Sequence, residues 1–173
     1  MRIRFSVLTM LVLSAMLTSG VSAQNLSKLT NLLSTQSGEQ TSVAKLGQGK
    51  VTVLSFWATW CKPCKEEMQA TYPIMKKLGD SAVYIAVSVD NTKTIARVAP
   101  YITSKGYTFP VLLDPNKDLL SELNGTDMPY TLVSDAEGAL RFKHMGFFQG
   151  DEVKLEKEVR ELLAEVGHPS TQH

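Results

Sequence analysis

The chain has 173 residues, with 18 Lys and Arg against 17 Asp and Glu, 43% hydrophobic residues and two cysteines. A net charge of +1 without any basic block argues against nucleic acid or an anionic membrane surface as the main partner. Two cysteines cannot build a disulfide scaffold, so packing must hold the fold, and the length suits one domain better than two.

In chain order, Arg2 and Arg4 precede an apolar run from Phe5 to Leu17, and Val21, Ser22 and Ala23 supply small residues of the kind a signal peptidase reads. Residues 1–23 therefore read as a secretory signal cleaved after Ala23. The run is short for a membrane span and is interrupted by Ser6, Thr9 and Ser14, which ranks an uncleaved anchor second and predicts no stable membrane insertion after cleavage. No cysteine follows the cleavage region, so lipid attachment to a new amino-terminal cysteine is excluded. Removing residues 1–23 takes away two of the 18 basic residues and leaves 150 residues with 16 bases against 17 acids. These divide into a domain over 24–167 and a polar tail over 168–173.

Gln24 to Gly49 is polar and glycine-punctuated, and reads as a short helix or coil around Leu26 to Leu33 followed by hairpin-like strands. Val51 to Trp57 is a continuous run of branched and aromatic residues, the pattern of a strand buried on both faces, and Val83 to Val89 repeats it. Between them, Cys64, Met68, Tyr72, Met75 and Leu78 fall at helical spacing over 61–78, with a kink expected at Pro73. A strand, a helix and a second strand joined by so long a crossover imply parallel pairing. A second helix is expected over 92–104, ending at Gly106. Then come a short strand at 111–113, a short helix over 117–123 and a turn at 124–127. A hairpin of 130–133 with 140–144 about Asp135 to Gly138 follows. The last helix opens at Gly150 and Asp151, carries Leu155, Val159, Leu162, Leu163 and Val166 on one face, and stops at Gly167 and Pro169.

The chemistry concentrates in SFWATWCKPCKEE, residues 55–67, where the buried strand meets Cys61 and Cys64. Cys61 falls at a helix start, where unpaired N–H groups and the helix dipole favour a thiolate, and Cys64 lies one turn inward, close enough to close a disulfide. Pro63 suits the first turn, where its missing N–H loses no helical bond. This arrangement predicts reversible thiol–disulfide exchange. Half a zinc site is the weaker reading, since His144 is distant and His168 and His173 lie in the tail. A purely structural disulfide is weaker too, because so short a loop constrains the unfolded chain very little. No metal and no organic cofactor is expected.

FWATWCKPC, the later VSVD, FPVLLD, and MPYTLVSDAEG followed by MGF resemble the extracytoplasmic thioredoxin-like reductases of the TlpA/ResA type, over roughly Leu33 to Leu163. The resemblance implies an α/β thioredoxin-like fold, a central mixed β-sheet flanked by helices with an amino-terminal hairpin extension. It implies Cys61 as exposed nucleophile, Cys64 as resolving cysteine, Pro129 as a cis-proline facing the dithiol, and Glu67 as the family's acidic residue. It also implies a periplasmic reductase fed by a membrane electron donor of thiol type and acting on disulfides in exported proteins, such as apocytochrome c during cytochrome c maturation. Gln69 and Met128 depart from the family's commoner choices at their positions.

Trp60 is expected to cover the disulfide, and Met128 before Pro129 to offer its backbone to an extended substrate, so that Trp60, Pro63, Met128 and Pro129 form the docking groove. Glu67 shares a helix face with Cys64 and is placed to relay its proton; the alternative is a solvated glutamate, since only one of Glu66 and Glu67 can face inward. Thioredoxin itself keeps a buried aspartate six residues before its first cysteine, where this chain has Ser55, which favours the role of Glu67. Lys62 and Lys65 are expected to favour the Cys61 thiolate and Glu66 and Glu67 to oppose them. A peroxidase of the peroxiredoxin type would need threonine and proline where Ala58 and Leu54 stand. The rival from another class is a non-catalytic copper(I)-binding chaperone using the two thiolates.

Overall fold

The computed structural model describes residues 24–167. The expected signal over 1–23 and the tail over 168–173 lie outside the described residues. After a 3-10 turn at Leu26–Lys28 come strands β1 (Leu33–Thr35) and β2 (Gln40–Thr41), then a short helix α1 (Val43–Leu46). Sequence reading did not anticipate α1; its cap is Ser42, whose hydroxyl accepts the Lys45 N–H at 3.2 Å. The chain continues through β3 (Val51–Trp57), α2 (Lys62–Leu78), β4 (Ala82–Ser88), α3 (Val98–Lys105), β5 (Val111–Leu113) and α4 (Asp118–Glu122). It ends with β6 (Tyr130–Ser134), β7 (Leu140–Met145) and α5 (Asp151–Gly167).

The strands form one mixed sheet in the order β2-β1-β5-β4-β3-β6-β7. β3 is central: it runs parallel to β4 and antiparallel to β6, and all seven of its residues are buried, as its unbroken apolar run predicts. The hairpin extension is not a separate lobe, because β1 also pairs antiparallel with β5 and so lengthens the same sheet. Helices α2 and α5 pack on each other and on β3, covering the face to which Val53, Ser55 and Trp57 point. On the opposite face, Phe56 and Tyr130 meet at 5.9 Å between ring centroids, and the Tyr130 hydroxyl donates to the Leu123 carbonyl at 2.7 Å.

Two helices contain a proline. α2 runs through Pro73 as one continuous helix, although the proline leaves the Gln69 carbonyl without its helical N–H. The helix expected over 92–104 begins instead as a 3-10 turn at Ile95–Arg97 and becomes α-helical only from Val98. That shift makes Pro100 the third residue of α3, in the first turn, where proline is tolerated.

Candidate active site

Cys61 is the cap residue of α2, with Lys62 and Pro63 as its first two residues. The Cys61 sulfur accepts the Cys64 N–H at 3.3 Å and is bonded to the Cys64 sulfur at 2.03 Å. The oxidised pair is thus seated on the amino terminus of a 17-residue helix, at the positive end of its dipole. Cys64 is fully buried, and Cys61, expected as an exposed nucleophile, is itself nearly covered in the oxidised pair, with 6% of its surface open. Trp60 beside it is 55% exposed, whereas Trp57 is wholly inside. The Met128–Pro129 peptide is cis, with Pro129 buried and Met128 half-buried.

The loop before Cys61 is tied down by an acid that sequence reading named only as part of VSVD. Asp90, completely buried just after β4, accepts the Thr59 N–H at 2.8 Å, the Thr59 hydroxyl at 2.6 Å and the Ser88 hydroxyl at 2.9 Å. An aspartate closing an otherwise apolar strand was the available signal, since a carboxylate in that position must find donors.

The phase of α2 turns Glu67 inward and Glu66 outward. Glu66 is exposed and pairs with Lys62 at 3.6 Å, while Glu67 shows 4% of its surface. The register of the sheet brings its partners together: Ser55 on β3 lies opposite Thr131 on β6. The Ser55 hydroxyl donates to Glu67 Oε2 at 2.7 Å, the Thr131 hydroxyl reaches Glu67 Oε1 at 2.7 Å, and the two hydroxyls are 3.0 Å apart. These three contacts accommodate both states of the acid. Ionised, Glu67 accepts both hydroxyl protons. Neutral, it donates to Thr131, which donates to Ser55, which donates back, so three protons fill three contacts.

Burial raises the Glu67 carboxyl from 4.5 to about 7; the Ser55 and Thr131 hydroxyls hold it down in part, and the Asp151 charge adds to the rise. Tyr84, on the same sheet face, is buried with no hydrogen-bond partner for its hydroxyl among the described residues. Burial pushes its phenol well up, and the Glu67 charge pushes it further. Lys65 lies over the Tyr101 ring, 5.9 Å from its centroid, and Lys62 pairs with Glu66 at 3.6 Å on the exposed side of the helix. Among the described residues no group of three or more His, Cys, Asp or Glu side chains is placed to hold a metal ion.

A disulfide at the tip of a helix, a cis-proline leading into β6 and a mixed sheet together define a thioredoxin-like protein. The chain belongs to the AhpC/TSA family, whose profile matches residues 22–143. It is 35% identical over 115 residues to the thioredoxin-like protein YneN of Bacillus subtilis, covering 66% of each chain. It is 36% identical over 97 residues to the thiol-disulfide oxidoreductase ResA of Geobacillus kaustophilus, covering 54% of this chain and 53% of that one. The chain thus spans between half and two thirds of the length of these two relatives. The solution structure of an uncharacterized thioredoxin-like protein from Porphyromonas gingivalis is similar with a TM-score of 0.70 at 31% identity, over 87% of this chain and 97% of that one. The thioredoxin-like fold expected from the sequence is therefore the fold observed.

Proposed function

We propose that this chain is an extracytoplasmic thiol–disulfide oxidoreductase that reduces disulfides in exported proteins, working as the domain 24–167 once residues 1–23 are removed. The observation that carries the reading is the Cys61–Cys64 pair capping α2 over an inward-facing Glu67. In the reduced protein the Cys61 thiolate attacks a substrate disulfide, forming a mixed disulfide and expelling one substrate thiolate. Cys64 passes its proton to the Glu67 carboxylate and attacks the Cys61 sulfur, releasing the second substrate thiolate and restoring the Cys61–Cys64 bond. A dithiol donor at the membrane then reduces the pair for the next cycle.

Trp60 and Pro63 flank Cys61, and Met128 and Pro129 complete the groove, where an extended substrate pairs with the Met128 backbone. The name of the ResA relative supports the reaction, and the basic-apolar-small pattern of residues 1–23 supports the compartment. Apocytochrome c, with paired thiols that must be reduced, is the substrate to test first.

Cys64→Ala in the producing cell is the test. It should leave substrates covalently attached through Cys61, released by a reductant and identifiable by mass. Recovery of no adducts, with Cys61 alkylated at neutral pH no faster than a free thiol, would refute the reading.

A further inference from the structure

The three contacts among Glu67, Ser55 and Thr131 hold three protons when the acid is neutral and two when it is ionised. In the neutral state Ser55 Oγ accepts the Thr131 proton. In the ionised state both hydroxyls turn their protons to the carboxylate, and the two hydroxyl oxygens stand 3.0 Å apart with no proton between them. Two acceptors at that distance repel, which favours turning one hydroxyl away from the charge. A further donor to Ser55 Oγ offsets this.

Tyr84 is placed to be that donor. It lies on β4 opposite Val53 of β3, so it shares the sheet face of Ser55, which is two residues further along β3. Its side chain is buried and its ring packs on Phe109 at 4.8 Å between centroids. Its hydroxyl completes no hydrogen bond among the described residues, a costly state for a buried donor. Burial pushes the phenol well above its usual value, the Glu67 charge adds to the rise, and the Ser55 hydroxyl opposes it. Tyr84 therefore keeps its proton throughout the range in which Glu67 titrates.

The remaining charged groups around Glu67 are engaged with other partners. From β7 and α5, Lys143, His144, Asp151, Glu152 and Lys154 line a cavity of about 210 Å3 that Glu67 also borders. His144 meets Glu158 at 2.6 Å, and Glu158 meets Lys154 at 3.9 Å. The Glu152 carboxylate accepts the Gly150 N–H, and the Lys143 ammonium lies over the Tyr130 ring. Asp151 accepts the Phe148 N–H, and its charge opposes ionisation of Glu67. On α2 itself, Glu66 turns outward to Lys62. Tyr101 and Tyr107 face Tyr84 and oppose loss of its proton.

We propose that Tyr84 is a positioning residue for Glu67: when the acid is ionised, the phenol donates to Ser55 Oγ and so keeps the Ser55 proton on the carboxylate. Tyr84 thereby holds more of the acid ionised near neutral pH, ready to take the Cys64 proton. The proposal rests on Glu67 as that proton acceptor, and its test separates the two.

The carboxyl-carbon resonance of Glu67, assigned by its loss in Glu67→Gln, is followed across pH in the oxidised protein for the parent, Tyr84→Phe, Ser55→Ala and the double variant. Tyr84→Phe should melt no lower than the parent at pH 4, because it removes only an unpaired hydroxyl. It should move the Glu67 midpoint up by about 0.5 to 1 pH unit, the net worth of one hydrogen bond read as a titration shift. Ser55→Ala should raise the midpoint too, and adding Tyr84→Phe to it should move it no further, because the phenol acts through Ser55. A midpoint unmoved or lowered in Tyr84→Phe, or an equal upward shift with and without Ser55, overturns the proposal. The pH profile of mixed-disulfide resolution then tests the acceptor role. Its acid limb should follow the midpoint upward in Tyr84→Phe and vanish in Glu67→Gln. If Glu67→Gln keeps the parental profile, the acceptor role itself fails, while the midpoint still decides whether Tyr84 acts on the acid.

Discussion

Glu67→Gln makes the burial of this acid measurable without any substrate. The ordinary carboxyl value of 4.5 applies to the unfolded chain and about 7 to the folded one, the increase coming mainly from burial. Below pH 4.5 both states hold the proton, and folding carries no charge penalty. Between 4.5 and 7 the folded chain keeps a proton that the unfolded chain has released, so stability falls as pH rises. Above 7 the full cost of a buried carboxylate is present. The difference of about 2.5 pH units, at about 1.4 kcal/mol each, amounts to about 3.5 kcal/mol. Glutamine has the shape of the neutral acid and can share hydrogen bonds with Ser55 and Thr131, but it does not titrate. In urea unfolding of the oxidised protein, the variant and the parent should lie within about 1 kcal/mol of each other near pH 4. By pH 9 the variant should lead by about 3.5 kcal/mol. The slope of free energy against denaturant serves as a control that both unfold alike. A stability difference that stays flat from pH 4 to pH 9 would refute the claim that burial raises the Glu67 carboxyl toward neutral pH.

Asp90→Asn should cost about 1 to 3 kcal/mol in the same assay, because an amide cannot accept from the Thr59 N–H, the Thr59 hydroxyl and the Ser88 hydroxyl together; an unchanged midpoint would show that the tie does not matter. Trp60→Ala, at a side chain 55% exposed, should change stability by less than about 0.5 kcal/mol. It should nevertheless raise KM for a protein disulfide roughly tenfold, as loss of an aromatic contact does, and an unaltered KM would remove Trp60 from the docking groove.

The order of elements was legible because it is a local property. The runs around Leu54 and Ile85 carry branched and aromatic residues on both faces, leaving neither face for solvent, so both strands had to be central. Cys61 at the start of α2 and Pro63 in its first turn were also readable, because capping and proline rules act within a few residues. The start of α3 was misplaced because its first residues wind as a 3-10 turn, which the apolar spacing of Ile95, Val98 and Ile102 does not distinguish from α-helix. The short α1 was missed because four residues are too few to show a period.

By itself the sequence determined the dithiol, its place at a helix tip and the strands beneath it. Only the tertiary structure decided what surrounds Glu67: that it, not Glu66, faces inward, that Ser55 and Thr131 from two strands meet its two oxygens, and that Asp151 shares a cavity with it. The physical reason is that spacing along the chain fixes which residues share a helix face, whereas strand register and helix packing fix which face is dry. Dryness, in turn, holds this carboxyl near neutrality.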